Sequence, residues 1–253
     1  MKLVRFTHGQ KAEYGILLSD GIQGLEGSPF DTIRTTNQYH RTSDLKLLPP
    51  CLPSKIVALG VNYHSHGEEM DHRIPAEPLI FIKPSTSVIG TEDKIVYPAS
   101  SARVDYEGEL GVVIKSVTRQ VSKEEAKDYI LGYTCVNDVT ARDLQSKDKQ
   151  WTRAKGFDTF CPLGPCIETE LDPSDLSLET CLNGEIKQQT RTGLLIFPVF
   201  ELVSFISHVM TLLPGDVIAT GTPGGIGPMQ PGDTVEVKIE GIGTLRNYIV
   251  KSS

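Results

Sequence analysis

The chain has 253 residues, 39% hydrophobic and 23% charged, with a net charge of −7 and a pI near 5.4. At this length a globular chain removes roughly three quarters of its unfolded surface from water, so folding requires neither a disulfide framework nor a structural metal. The acidic balance excludes a nucleic-acid or anionic-membrane surface, both of which call for excess Lys and Arg, but leaves room for a local cationic pocket.

Residues 3–6 and 14–18 read as short strands, followed by the turn Ser19-Asp20-Gly21. A polar stretch, residues 31–44, shows no clear period. It leads into Leu47-Leu48-Pro49-Pro50-Cys51-Leu52-Pro53, where three prolines block regular structure. A boundary is expected there, between a small β-rich N-terminal domain (1–52) and a main domain (53–253). The main domain opens with an apolar strand at 55–59 ending at Gly60, then a short helix at 63–70 and strands at 79–83 and 109–117. Ser122-Lys123-Glu124-Glu125 has the form of a capping box and predicts a helix over 123–130, returning as a strand at 131–136. Apolar residues at 202, 203, 205, 206, 209 and 210 mark a core-facing helix over 200–210. Strands follow at 216–220, 234–239 and 244–250. Strands outnumber helices and turns are rich in Gly and Pro, which favours a β-rich α+β architecture over a doubly wound sheet.

Five cysteines, Cys51, Cys135, Cys161, Cys166 and Cys181, form no C-x-x-C pair and are odd in number, so they read as free thiols in a reducing cytosol. Residues 1–6 turn polar too early for a signal peptide, and no apolar run approaches the ~20 residues of a membrane span. A soluble cytoplasmic protein is expected.

The chemistry concentrates in Asp105-Tyr106-Glu107-Gly108-Glu109-Leu110. Strand side chains alternate, so Glu107 and Glu109 point the same way, and paired carboxylates either share a proton or hold a cation. Oxygen ligands alone favour a hard ion such as Mg²⁺, Mn²⁺ or Ca²⁺. Asp138 ends an apolar strand and is a third candidate ligand, or else an N-cap for 140–145. Asp105 shares the face of Glu107 and Glu109, and spacing does not separate the three. On a helix, His66 and Glu69 are neighbours, as a carboxylate-oriented imidazole base requires. The loop Gly221-Thr222-Pro223-Gly224-Gly225-Ile226-Gly227 lacks the Gly-Lys-Ser/Thr ending of a phosphate loop.

The runs Arg103-Val104-Asp105-Tyr106-Glu107-Gly108-Glu109-Leu110, Asn137-Asp138-Val139-Thr140-Ala141-Arg142-Asp143, Lys155-Gly156-Phe157-Asp158-Thr159-Phe160 and Gly221-Thr222-Pro223, in this order, closely resemble the fumarylacetoacetate hydrolase family, particularly its short bacterial, acylpyruvase-like members. The resemblance spans essentially the whole chain. It implies a mixed β-sandwich or roll core behind the small N-terminal domain, a metal triad of Glu107, Glu109 and Asp138, and a homodimer. It places Asp105 outside the triad and makes His66 and Glu69 a catalytic dyad on a mobile lid, with His64 a bystander. Lys155 becomes a fixed pocket cation, Arg142 and Gln145 ligand-orienting residues, and Thr222 a contact to the ligand carboxylate. The stretch Arg191–Phe197 is more apolar than the family pattern leads one to expect.

The implied activity is metal-dependent hydrolysis of a C–C bond in a small 2,4-dioxo acid through a metal-stabilised pyruvate enolate, with Mg²⁺ or Mn²⁺ (Ca²⁺ as a further option). In that reading the His66–Glu69 pair activates the attacking water and Lys155 stabilises negative charge. Two alternatives keep the metal: isomerisation of a 2-hydroxyhepta-2,4-diene-1,7-dioate-type acid, and decarboxylation of an oxaloacetate-type acid. A third is a non-catalytic metal- or ligand-binding module on the same scaffold.

Overall fold

Apolar strands buried on both faces build the centre of the protein. In the computed structural model, which describes residues 1–9, 11–42, 45–71 and 73–252, the strand Gly108–Ile114 is buried at every position. It lies between Ile130–Asn137 and Val217–Ala219, both antiparallel to it. Alternation sends Leu110, Val112 and Ile114 into one apolar cluster and Val113 into another on the opposite face. A strand covered on both sides reads as a continuous apolar run, which is why this segment shows no polar alternation. Beyond Val217–Ala219 lie Lys55–Leu59, parallel to it, and the edge strand Ile80–Pro84.

On the other flank the sheet continues through Cys161–Glu168, Lys2–His8, Lys11–Leu17, Ile22–Leu25 and Thr35–His40. The N-terminal strands thus extend the main sheet, with Leu3 opposite Ile167 and the N-terminal amine 2.5 Å from Glu168 Oε1. Val4 and Phe6 share a core cluster with Leu110 and Val112. A five-stranded sheet is formed by Glu185–Arg191, Ser177–Leu182, Thr234–Ile239, Gly243–Lys251 and Lys94–Tyr97, and a small one by Thr140–Ala141, Val104–Tyr106 and Gly227–Met229. The described residues also form four short α-helices, α1 (His64–Glu69), α2 (Arg142–Asp148), α3 (Thr152–Lys155) and α4 (Val199–Val209). The β-rich α+β expectation holds.

Three local expectations differ. The polar stretch at 31–44 contains the strand Thr35–His40, whose mostly exposed side chains carry no apolar period because it is a sheet edge paired on one side; Asp44, at the end of that stretch, lies outside the described residues. The capping box forms as expected, Ser122 N donating to Glu125 Oε2 at 2.9 Å and Glu125 N to Ser122 Oγ at 3.3 Å. Yet it leads only to a 3₁₀ turn, Ala126–Tyr129, because Ile130 already pairs with Ile114 and leaves no room for a second turn. In α4, Leu202, Val203 and Ile206 are buried, whereas Val209 is 56% exposed at the end of the helix. The cysteines are free; four are buried and Cys181 is half-buried.

Candidate active site

Two neighbouring strands change sheets at the same level, and the candidate ligands sit at these switches. The chain leaves the small sheet after Tyr106 and enters the large one at Gly108, with Glu107 between. The partner strand leaves the large sheet after Asn137 and enters the small one at Thr140, with Asp138 and Val139 between. Asp138 N donates to Glu107 O at 2.8 Å, and Glu107 N donates to Asn137 Oδ1 at 3.0 Å, so the two switches are stitched together. Glu109 follows on the large sheet. One oxygen from each of Glu107, Glu109 and Asp138 lies within 4.8 Å of the others, and all three residues are buried.

Asp105, which alternation alone put on the same face, belongs to the small sheet and turns to Arg103 and Arg142 instead. Asp138 is not an N-cap either, since Ala141 holds that position before α2.

Buried cations surround the triad. Arg142, first residue of α2, spans Asp105 Oδ2 at 2.9 Å and Glu107 Oε1 at 2.5 Å, while Gln145 Oε1 accepts from its Nη1 at 2.6 Å. Gln145 therefore braces Arg142. Lys155, last residue of α3, donates to Glu107 Oε2 at 2.7 Å and Asp138 Oδ2 at 2.6 Å, and its Nζ lies 5.2 Å from the centre of the Phe81 ring. Lys83, fully buried, donates to Asp138 Oδ1 and to Val139 O. Lys83 belongs to none of the four sequence motifs. Its signal was a charged residue in phase with Phe81 inside the apolar strand Ile80–Pro84, where a lysine persists only when paired.

These cations set the carboxylates apart. Burial alone would push Glu107 up, but Lys155 and Arg142 outweigh it and hold Glu107 far below the usual carboxylate range. Lys155 likewise stays charged, since Asp138 and Glu107 outweigh its burial. Glu109 is the opposite case. Burial, with the charges of Asp138 and Glu107 beside it, raises Glu109 well above its ordinary value. Its Oε2 receives the Gly221 N–H at 2.7 Å, while its buried Oε1 has no hydrogen-bond partner. A buried acceptor left bare among two other carboxylates suits a hard divalent cation, and among the described residues the cluster is made of carboxylates alone. The triad can hold a metal.

His66 and Glu69 stand on α1 as expected, with Nδ1 of His66 3.9 Å from Glu69 Oε2, too far for a hydrogen bond. Glu69 Oε2 accepts instead from Gly225 N at 3.0 Å, and Ser65 Oγ from Gly224 N at 3.1 Å, so α1 is latched to the Gly-rich loop. Burial, reinforced by Lys155 and Arg142, lowers the His66 pKa against the opposing pull of Glu107, leaving a neutral imidazole near the triad. His64 is exposed. Tyr63, unmarked in the sequence, is buried with an unpartnered hydroxyl, its pKa raised by burial and by Glu109. Thr222 is buried in the loop after Val217–Ala219, its Oγ1 donating to Gly108 O at 3.0 Å. The apolar stretch Arg191–Phe197 closes around Asn62, whose side chain bonds Phe197 through both N and O.

Residues 55–250 match the family model described as fumarylacetoacetate (FAA) hydrolase C-terminal, and residues 1–50 match one described as Rv2993c-like, N-terminal. The structure of 5-carboxymethyl-2-hydroxymuconate delta-isomerase from Mycobacterium smegmatis is similar with a TM-score of 0.95 and 45% identity, covering 100% of both chains. Maleylpyruvate hydrolase from Sphingobium sp. SYK-6, in complex with manganese(II) and pyruvate, has a TM-score of 0.84 and 29% identity, again over 100% of both chains. The oxaloacetate tautomerase Fahd2a, mitochondrial, of Rattus norvegicus is 39% identical over 215 residues, 81% of this chain and 69% of that protein.

Proposed function

The chain belongs to the fumarylacetoacetate hydrolase family, and from that premise we propose that it is a Mg²⁺- or Mn²⁺-dependent enzyme interconverting keto and enol forms of a small 2-oxo dicarboxylic acid. The observation that carries the reading is Glu109, a fully buried carboxylate with one bare oxygen inside a three-carboxylate cradle. Charge counting supports an anionic ligand. Asp105, Glu107, Glu109 and Asp138 face Lys83, Arg142, Lys155 and the half-exposed Arg103, a balanced set when all are ionised. A divalent ion adds two positive charges, which a dicarboxylate offsets, although the whole protein is acidic.

When bound, the cation supplies a Lewis acid that draws electrons from a 2-oxo group and makes the neighbouring C–H more acidic. His66 does the proton work. Nδ1 is buried toward Glu69, leaving Nε2 to take the proton from the carbon beside the 2-oxo group; the C–H electron pair becomes the C=C bond, the C=O π pair moves onto the oxygen, and the protonated His66 returns its proton to that oxygen, which restores the neutral imidazole. Lys155 lies beside the cradle as a fixed positive charge against the negative charge that gathers on that oxygen. Arg142, braced by Gln145, orients the ligand carboxylates, and Thr222, whose hydroxyl proton goes to Gly108 O, contributes its turn rather than its hydroxyl.

Proton transfer comes before hydrolysis because it needs a single base, and Glu69, committed to Gly225, is not hydrogen-bonded to His66. The M. smegmatis isomerase is also more similar in sequence than the maleylpyruvate hydrolase, 45% against 29% identical. Hydrolytic C–C cleavage is the second reading, favoured by the i,i+3 placement of His66 and Glu69 and by the likeness to the maleylpyruvate hydrolase. A homodimer belongs to the same proposal, supported by the exposed apolar Leu79 and Ile82 at the edge strand and checked by light scattering.

The test uses metal-stripped protein with oxaloacetate, a 2-hydroxy-diene dioate and acetylpyruvate, with and without Mg²⁺ or Mn²⁺. Metal-dependent keto–enol exchange or double-bond migration in the dicarboxylates, with acetylpyruvate intact, is the expected result. Release of acetate and pyruvate from acetylpyruvate assigns the hydrolase, and release of CO₂ from oxaloacetate the decarboxylase. Mn²⁺ binding without turnover of any of them makes the chain a binding module.

A further inference from the structure

The strand Glu185–Arg191 borders the five-stranded sheet, and six of its seven side chains are exposed or half-buried; Gln188 alone is buried, at 1% exposure. Its amide is fully engaged. Oε1 accepts from Gly108 N at 3.0 Å, and Nε2 donates to Thr222 Oγ1 at 2.8 Å and to Pro223 O at 2.9 Å. Gly108 stands between Glu107 and Glu109, while Gly221, next to Thr222, donates to Glu109 Oε2. Thr222 Oγ1 returns to Gly108 O at 3.0 Å. One side chain from a third sheet therefore ties both polar atoms of Gly108, directly or through Thr222, to the Gly221–Pro223 turn. The fit is close, since a Cβ on Gly108 would lie 2.0 Å from Thr180 Oγ1.

We propose that Gln188 is a positioning residue: it locks the Glu107-Gly108-Glu109 segment against the 221–223 turn, so that the cation cradle and the ligand-carboxylate contact are held as one unit. A glutamine buried on an otherwise solvated strand has no packing reason to be polar, because a methionine of the same shape fills the space without three hydrogen-bond partners to satisfy. The polar choice is explained by what it ties together. This inference rests on the reading that the triad binds a divalent cation and the turn a 2-oxo acid.

The experiment measures Mn²⁺ binding by electron paramagnetic resonance and oxalate binding to the Mn²⁺-loaded protein by calorimetry, for the native chain, Gln188→Met, Gln188→Glu and Thr180→Val. Gln188→Met is expected to weaken both Mn²⁺ and oxalate about tenfold or more, the usual range for a group that orients ligands from behind. Gln188→Glu keeps an oxygen toward Gly108 and replaces the donor, so it should weaken oxalate more than Mn²⁺. Thr180→Val removes a buried hydroxyl from the neighbouring strand that has no hydrogen bond, and should leave both affinities within about threefold. Should Gln188→Met misfold, the unequal response of Gln188→Glu decides the matter. Gln188 variants that bind both probes as Thr180→Val does, or that lose Mn²⁺ and oxalate only in proportion to lost folded protein, overturn the proposal. A native chain that binds no Mn²⁺ overturns the metal reading on which it stands.

Discussion

Replacing Glu109 with Gln should move stability in opposite directions without and with metal. In the metal-free protein the carboxyl of Glu109 is pushed up by burial and by Asp138 and Glu107, so the folded chain keeps a proton that the unfolded chain releases above about 4.5. The folded state then binds more protons than the unfolded state, and stability falls as pH rises, from about 4.5 up to the raised folded value. The slope is about 1.4 kcal/mol per pH unit. Glutamine copies the neutral acid in shape and cannot ionise, so Glu109→Gln removes this slope while other titrations cancel in the difference. In a chain of this size 1 kcal/mol corresponds to about 2–4 °C, so the variant should gain about 3–5 °C over the native chain per pH unit within that window. With Mn²⁺ the order reverses. A ligand at a hundred times its Kd stabilises by about 2.7 kcal/mol, and the variant, having lost one of three ligands, should forfeit most of that. The assay is thermal unfolding from pH 5 to pH 8 in EDTA and in Mn²⁺. A pH-independent difference in EDTA, or equal Mn²⁺ stabilisation of both proteins, refutes the view of Glu109 as a neutral acid that ionises to receive a cation.

Other perturbations separate the remaining roles. His66→Ala should lower turnover by about 10²–10⁴ and leave the Mn²⁺ dissociation constant within about threefold, since the imidazole is not among the cradle oxygens. Because burial lowers the His66 pKa, the acid limb of kcat/KM should fall below the ordinary histidine value of 6.5, activity being lost as pH drops through it; a limb above 6.5 points to a different base. Lys83→Met leaves Asp138 with Lys155 as its one remaining paired cation, and removing one partner of a buried pair should destabilise the chain by about 3–5 kcal/mol, read by denaturant titration. A fragment of residues 53–253 should not fold alone, because deleting Lys2–His8 bares the Cys161–Glu168 edge and removes Val4 and Phe6 from the core; a soluble, cooperatively melting fragment contradicts this.

The strands at 55–59 and 234–239 and the α4 segment were legible because their apolar periods are local properties of the chain. So were the four motifs, since each is a short run in a fixed order. Where local signal met a competing long-range pairing it lost: the capping box at Ser122 forms its hydrogen bonds, yet strand pairing at Ile130 cuts the helix to one 3₁₀ turn. The edge strand Thr35–His40 was invisible for the converse reason, since a one-sided exposed pairing imposes no apolar pattern.

Local order along the chain gives the identity of the donors, oxygen-only and therefore suited to a hard cation, and puts Glu107 and Glu109 two residues apart near the start of a buried strand. Spacing does not separate Asp105 from Glu107 and Glu109; the family resemblance names the triad, and the packing of the sheets supplies the physical reason for it. Asp105 falls away because the chain changes sheets at Glu107, and Asp138 joins because its own strand changes sheets beside it, a coincidence of two distant segments that no period along the chain encodes. The same holds for the bond from Gly221 to Glu109, 112 residues apart, and for the arrival of Lys83 at Asp138 from an edge strand. Alternation fixes where a side chain points within one strand. Electrostatic balance among buried charges depends on which strands lie next to each other, and that is set by the packing of the whole chain.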